Sequence, residues 1–200
     1  MQHIGILGGT FNPIHIGHLI IAEQAYSQFN LDKVLVMPSG VSYFKDGQGV
    51  LPAEVRLEMT RCAVNDNDHL EVSDVEVKRP GNTYTSDTLL QLHSLYIDAQ
   101  LYFIIGADTL YDLETWHEPA IIFSNCVILV SVRDDHGMSD LLSKIDYYKI
   151  KYKADIRILN TTNIDISSTM IRDNVKRGIS IKYYVPNSVI DYIKNNNLYR

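Results

Sequence analysis

Short apolar runs, each stopped by glycine, proline or aspartate, alternate along this chain with stretches of helical period, and that alternation constrains the fold most. Ile4-Gly5-Ile6-Leu7 reads as a first strand ending at Gly8-Gly9, and residues 18–29 as a helix with Leu19, Ala22, Tyr26 and Phe29 on one stripe. Residues 33–37 read as a second strand, stopped by Pro38-Ser39-Gly40, and 41–50 as a polar loop. Pro52 suits a first helical turn and opens a helix to about residue 64. Residues 70–72 and 75–77 suggest a short strand or a bent pair, and 85–95 a helix with Thr85 or Ser86 as cap. Strands over 100–105, 127–132 and 156–159 follow, with helices over 139–150 and near 168–177 and 187–195. This is the pattern of βαβ units and a mostly parallel α/β sheet. Such sheets bind ligands beyond the carboxyl ends of their strands. The unusual clusters fall there: Gly8-Gly9-Thr10, Pro38-Ser39-Gly40, Gly106-Ala107-Asp108 and Arg133-Asp134.

The 200 residues fit one domain, with a helical part from about residue 165 onward. A formal charge of −6 argues against a broad nucleic-acid surface, though not against a small anionic ligand held by a few convergent cations. No apolar run approaches the roughly 20 residues that span a bilayer, and the opening MQHIGILGG has no signal-peptide pattern, so a cytoplasmic protein is expected. Cys62 and Cys126 form no metal-ligand pattern and read as small buried hydrophobes. The sequence leaves self-association open.

The chemistry is concentrated in Gly8-Gly9-Thr10-Phe11-Asn12-Pro13-Ile14-His15-Ile16-Gly17-His18. Paired glycines after a strand let backbone N–H groups approach a ligand, and the next helix points its positive end at the same place. His15 and His18, three apart, can share one face and donate to charge growing on phosphate oxygens. The glycines fit neither G-x-G-x-x-G nor a Walker loop. A second clamp lies in Ile166-Ser167-Ser168-Thr169-Met170-Ile171-Arg172, where Ser168 or Thr169 can cap a helix and Arg172 can turn back to its mouth.

These two elements resemble the His-x-Gly-His nucleotidyltransferases, which share a Rossmann-like, doubly wound parallel sheet; here C-terminal helices would complete it. Within them the chain is similar to the bacterial nicotinate-nucleotide adenylyltransferases nearly end to end. The shared stretches include Arg56-Leu57-Glu58-Met59, Tyr84-Thr85-Ser86-Asp87-Thr88-Leu89, Phe103-Ile104-Ile105-Gly106-Ala107-Asp108 before Trp116, and Tyr183-Tyr184-Val185-Pro186. The resemblance implies adenylyl transfer from ATP to nicotinate mononucleotide, with Mg²⁺ brought by ATP. It places Gly8, Gly9, Thr10, Phe11, His15, His18, Ser168, Thr169 and Arg172 around ATP, with His15, His18 and Arg172 catalytic. Gly106 and Asp108 would hold the adenosine. Trp116 would stack on the nicotinate ring, the backbone N–H groups of Thr85 and His117 would receive its carboxylate, and Ser39, Gly40 and Lys45 would lie near the mononucleotide phosphate.

The chain departs from the family in places. Ser42-Tyr43-Phe44-Lys45 stands where the family usually shows Pro-Pro-His-Lys, His117 where a tyrosine is common, and Asn12 where Asp is commoner. Arg133 keeps two readings, an ATP-phosphate contact or a partner for a carboxylate. Other readings are a sister transferase using nicotinamide mononucleotide, phosphopantetheine or a cytidylyl donor, a synthetase fragment sharing His-Ile-Gly-His, and a nucleotide sensor without activity.

Overall fold

Six parallel strands, β1 (His3–Gly9), β2 (Lys33–Pro38), β3 (Leu70–Val72), β4 (Gln100–Gly106), β5 (Val127–Val132) and β6 (Ile156–Asn160), form one sheet in the order β3-β2-β1-β4-β5-β6. The computed structural model describes residues 1–40, 49–132 and 138–200. The helices among them are α1 (Ile16–Phe29), α2 (Ala53–Val64), α3 (Thr85–Leu95), α4 (Ala107–Asp112), α5 (Pro119–Asn125), α6 (Met138–Tyr152), α7 (Ser168–Lys176) and α8 (Asn187–Asn195).

Strand residues alternate faces, and both faces are apolar because both are covered. Val34, Val36, Tyr102, Ile104, Val127 and Leu129 turn toward a core shared with α1, α2, α7 and α8. Leu35, Met37, Leu101, Phe103, Ile105, Ile128 and Val130 turn toward one shared with α3 to α6. Each side chain fully buried in these layers contributes roughly 1.5–3 kcal/mol. Helices change face between β3 and β4, which makes the sheet doubly wound, and the strand order reverses between β1 and β4. A crevice opens beyond the strand ends at such a reversal.

The expected elements are present with shifted ends. α1 begins at Ile16 rather than residue 18, and 75–77 form turns beside a single short strand at Leu70–Val72. A 3-10 turn (Leu113–Thr115), α4 and α5 occupy a region the sequence left unassigned. Tyr84, not Thr85 or Ser86, stands at the N-cap of α3, and it makes no side-chain cap. Ser167, not Ser168 or Thr169, caps α7: its side chain accepts from the Met170 N–H at 3.2 Å. Cys126 is buried as expected, and burial pushes its thiol up to about 12, whereas Cys62 is only half-buried. Among the described residues no helix is long and apolar enough to cross a membrane.

Candidate active site

A cavity of about 820 Å³ opens at the reversal point, floored by Gly8 and Gly9 of β1 and Ile104 to Gly106 of β4. It is at the upper end of the range for small-molecule sites. Its lining includes both sets of residues that the resemblance separates: Thr10, His18, Gly106 and Asp108 for a donor half, and Ser39, Thr85, Trp116 and His117 for an acceptor half. A smaller space of about 240 Å³ beside it is lined by His15, Gly17, His18 and Ser168.

The turn after β1 is tightly specified. Phe11 takes a left-handed conformation (φ 49°), which costs a non-glycine residue on the order of 1 kcal/mol. Its ring is buried and meets the His18 ring edge-on at 4.9 Å, so Phe11 backs the histidine and is absent from the cavity lining. His15 stands at the N-cap of α1, stacked on His18 with centroids 3.6 Å apart. Gly17 permits that stack, because a Cβ there would lie 3.1 Å from His15 Nδ1. The His15 backbone N–H donates to His18 Nδ1 at 3.2 Å. A backbone N–H can only donate, so while this bond is made Nδ1 is the acceptor and the ring proton sits on Nε2. His18 thus presents an N–H donor, next to the positive end of α1, whose first turn holds no acidic residue.

In the second clamp the side chains bond to one another and to the glycine turn. Ser168 Oγ donates to Pro13 O at 2.8 Å, and Arg172 donates to Asn12 O at 2.9 Å and to Thr169 Oγ1 at 3.2 Å. These bonds dock α7 on the glycine turn, and Arg172 and Thr169 belong to neither cavity lining. Lys45 and Arg133, with the Ser42-Tyr43-Phe44 stretch, lie outside the described residues.

In the other half, the uncapped N-terminus of α3 borders the cavity at Thr85, where unpaired helix N–H groups favour an anion. The His117 ring lies 4.3 Å from the Tyr84 ring, and Trp116 packs edge-on to Phe103 at 6.3 Å. The loop carrying Trp116 is tied down through Glu114, which accepts from Tyr147 and Tyr152 at 3.1 and 3.0 Å and pairs with Lys151. The end of α6, through Tyr147, Lys151 and Tyr152, therefore braces this half. Gly40 does not line the cavity; it is buried against Glu76.

Glu76 and Arg56 belong to the surroundings of the site, and sequence reasoning did not single either out as functional. Glu76 lines the cavity; its carboxylate accepts from Thr88 Oγ1 at 2.9 Å, from Thr83 and from the Gly40 N–H, yet burial raises its pKa above the ordinary glutamate value. Arg56 is buried under the turns at both halves. Nothing in its pattern marks it out, because α2 also carries Glu54, Glu58 and Arg61.

Fold and site together define a nucleotidyltransferase of the parallel α/β class, and residues 6–174 match the cytidylyltransferase-like family model. The chain is 43% identical over 199 residues to a probable nicotinate-nucleotide adenylyltransferase of Lachnoclostridium phytofermentans, covering 100% of each chain. It is 38% identical over 196 residues to one of Dehalococcoides mccartyi, covering 98% of this chain and 96% of the other. The fold is shared with the Plasmodium falciparum nicotinic acid mononucleotide adenylyltransferase complexed with NaAD, with a TM-score of 0.80 at 21% identity, covering 100% of this chain and 98% of that one. The chain belongs to the nicotinate-nucleotide adenylyltransferase family.

Proposed function

We propose that the protein transfers the adenylyl group of ATP to nicotinate mononucleotide, releasing pyrophosphate and forming nicotinate adenine dinucleotide. The observation that carries this reading is one cavity with two anion-attracting ends, the His18 and α1 end and the α3 end, meeting where the sheet reverses. The relatives' names and the family membership support the choice of substrates.

The mononucleotide 5′-phosphate is already a nucleophile, so no base is needed. Its oxygen attacks the α-phosphorus, the bond to the bridging oxygen breaks, and the electron pair leaves with pyrophosphate. Catalysis consists of aligning two anions and stabilising charge on the α-phosphate. The His18 Nε2–H is the donor placed for that charge, with His15 beside it in the smaller space and Asp108 and Gly106 on the adenosine side. Arg172 acts first by holding the Asn12 carbonyl, and so the turn, in place. Mg²⁺ prefers oxygen ligands, and among the described residues no group of three or more His, Cys, Asp or Glu is disposed to hold a metal. Mg²⁺ brought with ATP would neutralise charge on the phosphates.

The test is pyrophosphate release with Mg-ATP and each of nicotinate mononucleotide, nicotinamide mononucleotide and phosphopantetheine. Strong preference for the nicotinate substrate is expected. Preference for another acceptor would overturn the substrate, and ATP binding without turnover would overturn the activity.

A further inference from the structure

Arg56 of α2 lies outside the cavity and is 2% exposed, yet it touches both of its halves. Its Nη1 donates to Thr10 O at 2.7 Å, in the glycine turn of the donor half. Its Nη2 donates to Ser39 O at 2.6 Å and Gly40 O at 3.1 Å, in the turn after β2 on the acceptor half. Its Nε donates to Leu51 O at 3.0 Å. Among the described residues it has no carboxylate within ion-pair distance.

Among the described residues this buried guanidinium is bonded to carbonyls, with Glu54 and Glu76 favouring its charge only from a distance; burying it is costly, and an apolar residue would hold α2 in the core more cheaply. What the guanidinium does that no apolar group can is geometric. Nη1 and Nη2 share one planar carbon, so the carbonyls of Thr10 and Ser39 are held at a separation fixed by a rigid fork. The two turns also bond directly, Ser39 N–H to Gly9 O at 2.8 Å. In a trans peptide the C=O and N–H point opposite ways, so pulling Ser39 O toward Arg56 turns the Gly40 N–H outward, where it meets Glu76. A Cβ on Gly40 would lie 2.3 Å from Glu76 O, so this turn has no slack to absorb a shift.

We propose that Arg56 is a positioning residue of the transfer: its fork sets the distance between the turn at the donor phosphates and the turn at the acceptor. The proposal rests on the adenylyl-transfer reading, since it needs two ligands that must meet. It separates from a merely structural role by what it should spare. The donor turn follows β1 and leads into α1, and the acceptor side rests on the turn after β2 and the start of α3, so each half-ligand should still bind when the fork is lost, while a ligand spanning both should not.

The experiment is calorimetric binding of ATP, nicotinate mononucleotide and nicotinate adenine dinucleotide to wild type, Arg56→Lys and Arg56→Gln, with folding checked by circular dichroism. Lysine keeps the charge and loses the fork; glutamine serves if lysine does not fold. Expected is a loss of tenfold or more in dinucleotide affinity with each half-ligand within about threefold, and kcat lowered by roughly 10–100-fold, as for misplacements of about 1 Å. Equal losses for all three ligands, or no loss for the dinucleotide, would overturn the proposal, as would failure of both variants to fold. Wild type that bound ATP but not the dinucleotide would count instead against the adenylyl-transfer reading.

Discussion

His18 is the residue whose role is most sharply set by its surroundings. The His15 N–H occupies Nδ1, Phe11 backs the ring and the stack with His15 fixes its plane, so the tautomer and the ring orientation are both set. His18→Ala should lower kcat on the order of 10²–10³-fold, as loss of one oxyanion donor does, with ATP affinity kept within about tenfold. Near-normal kcat in the variant would sink the assignment. Glu76 gives a second residue-scale prediction. Its native carboxyl holds a proton more tightly than in the unfolded chain, because burial disfavours its charge. The stability it adds is thus full below the unfolded glutamate value and is lost as pH rises through the raised native one. Thermal melts from pH 4 to 7 should show wild type losing ground to Glu76→Gln as pH rises; parallel profiles would refute it. His18 was legible in the sequence because strand, turn and helix start are contiguous there. Glu76 and Arg56 were not, because their partners at Gly40, Thr88, Thr10 and Ser39 come from other segments.

Elements carry the site by where their ends fall. β1, β2 and β4 were readable as apolar runs because both faces of the sheet are covered. The 107–125 region was not, since α4, the 3-10 turn and α5 are each too short to show a helical period, yet Asp108 lies in α4 and Trp116 directly follows the 3-10 turn. The α7 cap falls at Ser167 rather than at Ser168 or Thr169 for a definite reason. Ser167, Ser168 and Thr169 are all capping types, and only the fold shows that Ser168 is taken by Pro13 O and Thr169 by Arg172. The three hydroxyls can therefore be told apart by mutation. Ser167→Ala removes only the cap and should cost about 1 kcal/mol, or roughly 2–4 °C in Tm, with kinetics little changed. Ser168→Ala frees the Pro13 carbonyl and should raise the KM for ATP severalfold. The reverse pattern would place the cap at Ser168 after all.

At the scale of the molecule, the donor turn is held from both directions along the chain. The order β3-β2-β1-β4-β5-β6 puts β1 centrally, so segments remote in sequence converge on the turn that follows it. Residue 199 is the most remote. Its hydroxyl donates to Asn12 Oδ1 at 2.8 Å, across 187 positions of sequence, and that oxygen also accepts from the Leu51 N–H at 3.3 Å. Asn12 Nδ2 donates to Gly49 O at 2.9 Å and Arg172 holds the Asn12 carbonyl, so one buried asparagine joins α7, the entry to α2 and residue 199 beneath the phosphate turn. Nothing in the local sequence around Asn12 or Tyr199 forecasts this meeting. Tyr199→Phe keeps the ring and loses one buried hydrogen bond, and Asn12 Oδ1 keeps its other donor. The cost should be about 1 kcal/mol, or roughly 2–4 °C in Tm, with a severalfold rise in the KM for ATP and none for the mononucleotide. Deleting residues 199 and 200 also exposes the apolar seat of the ring and should magnify both effects in the same proportion. A Tyr199→Phe protein with lowered Tm and an unchanged KM for ATP would mean that residue 199 braces the core alone; equal rises in both KM values would mean that the two halves of the cavity cannot be loosened separately.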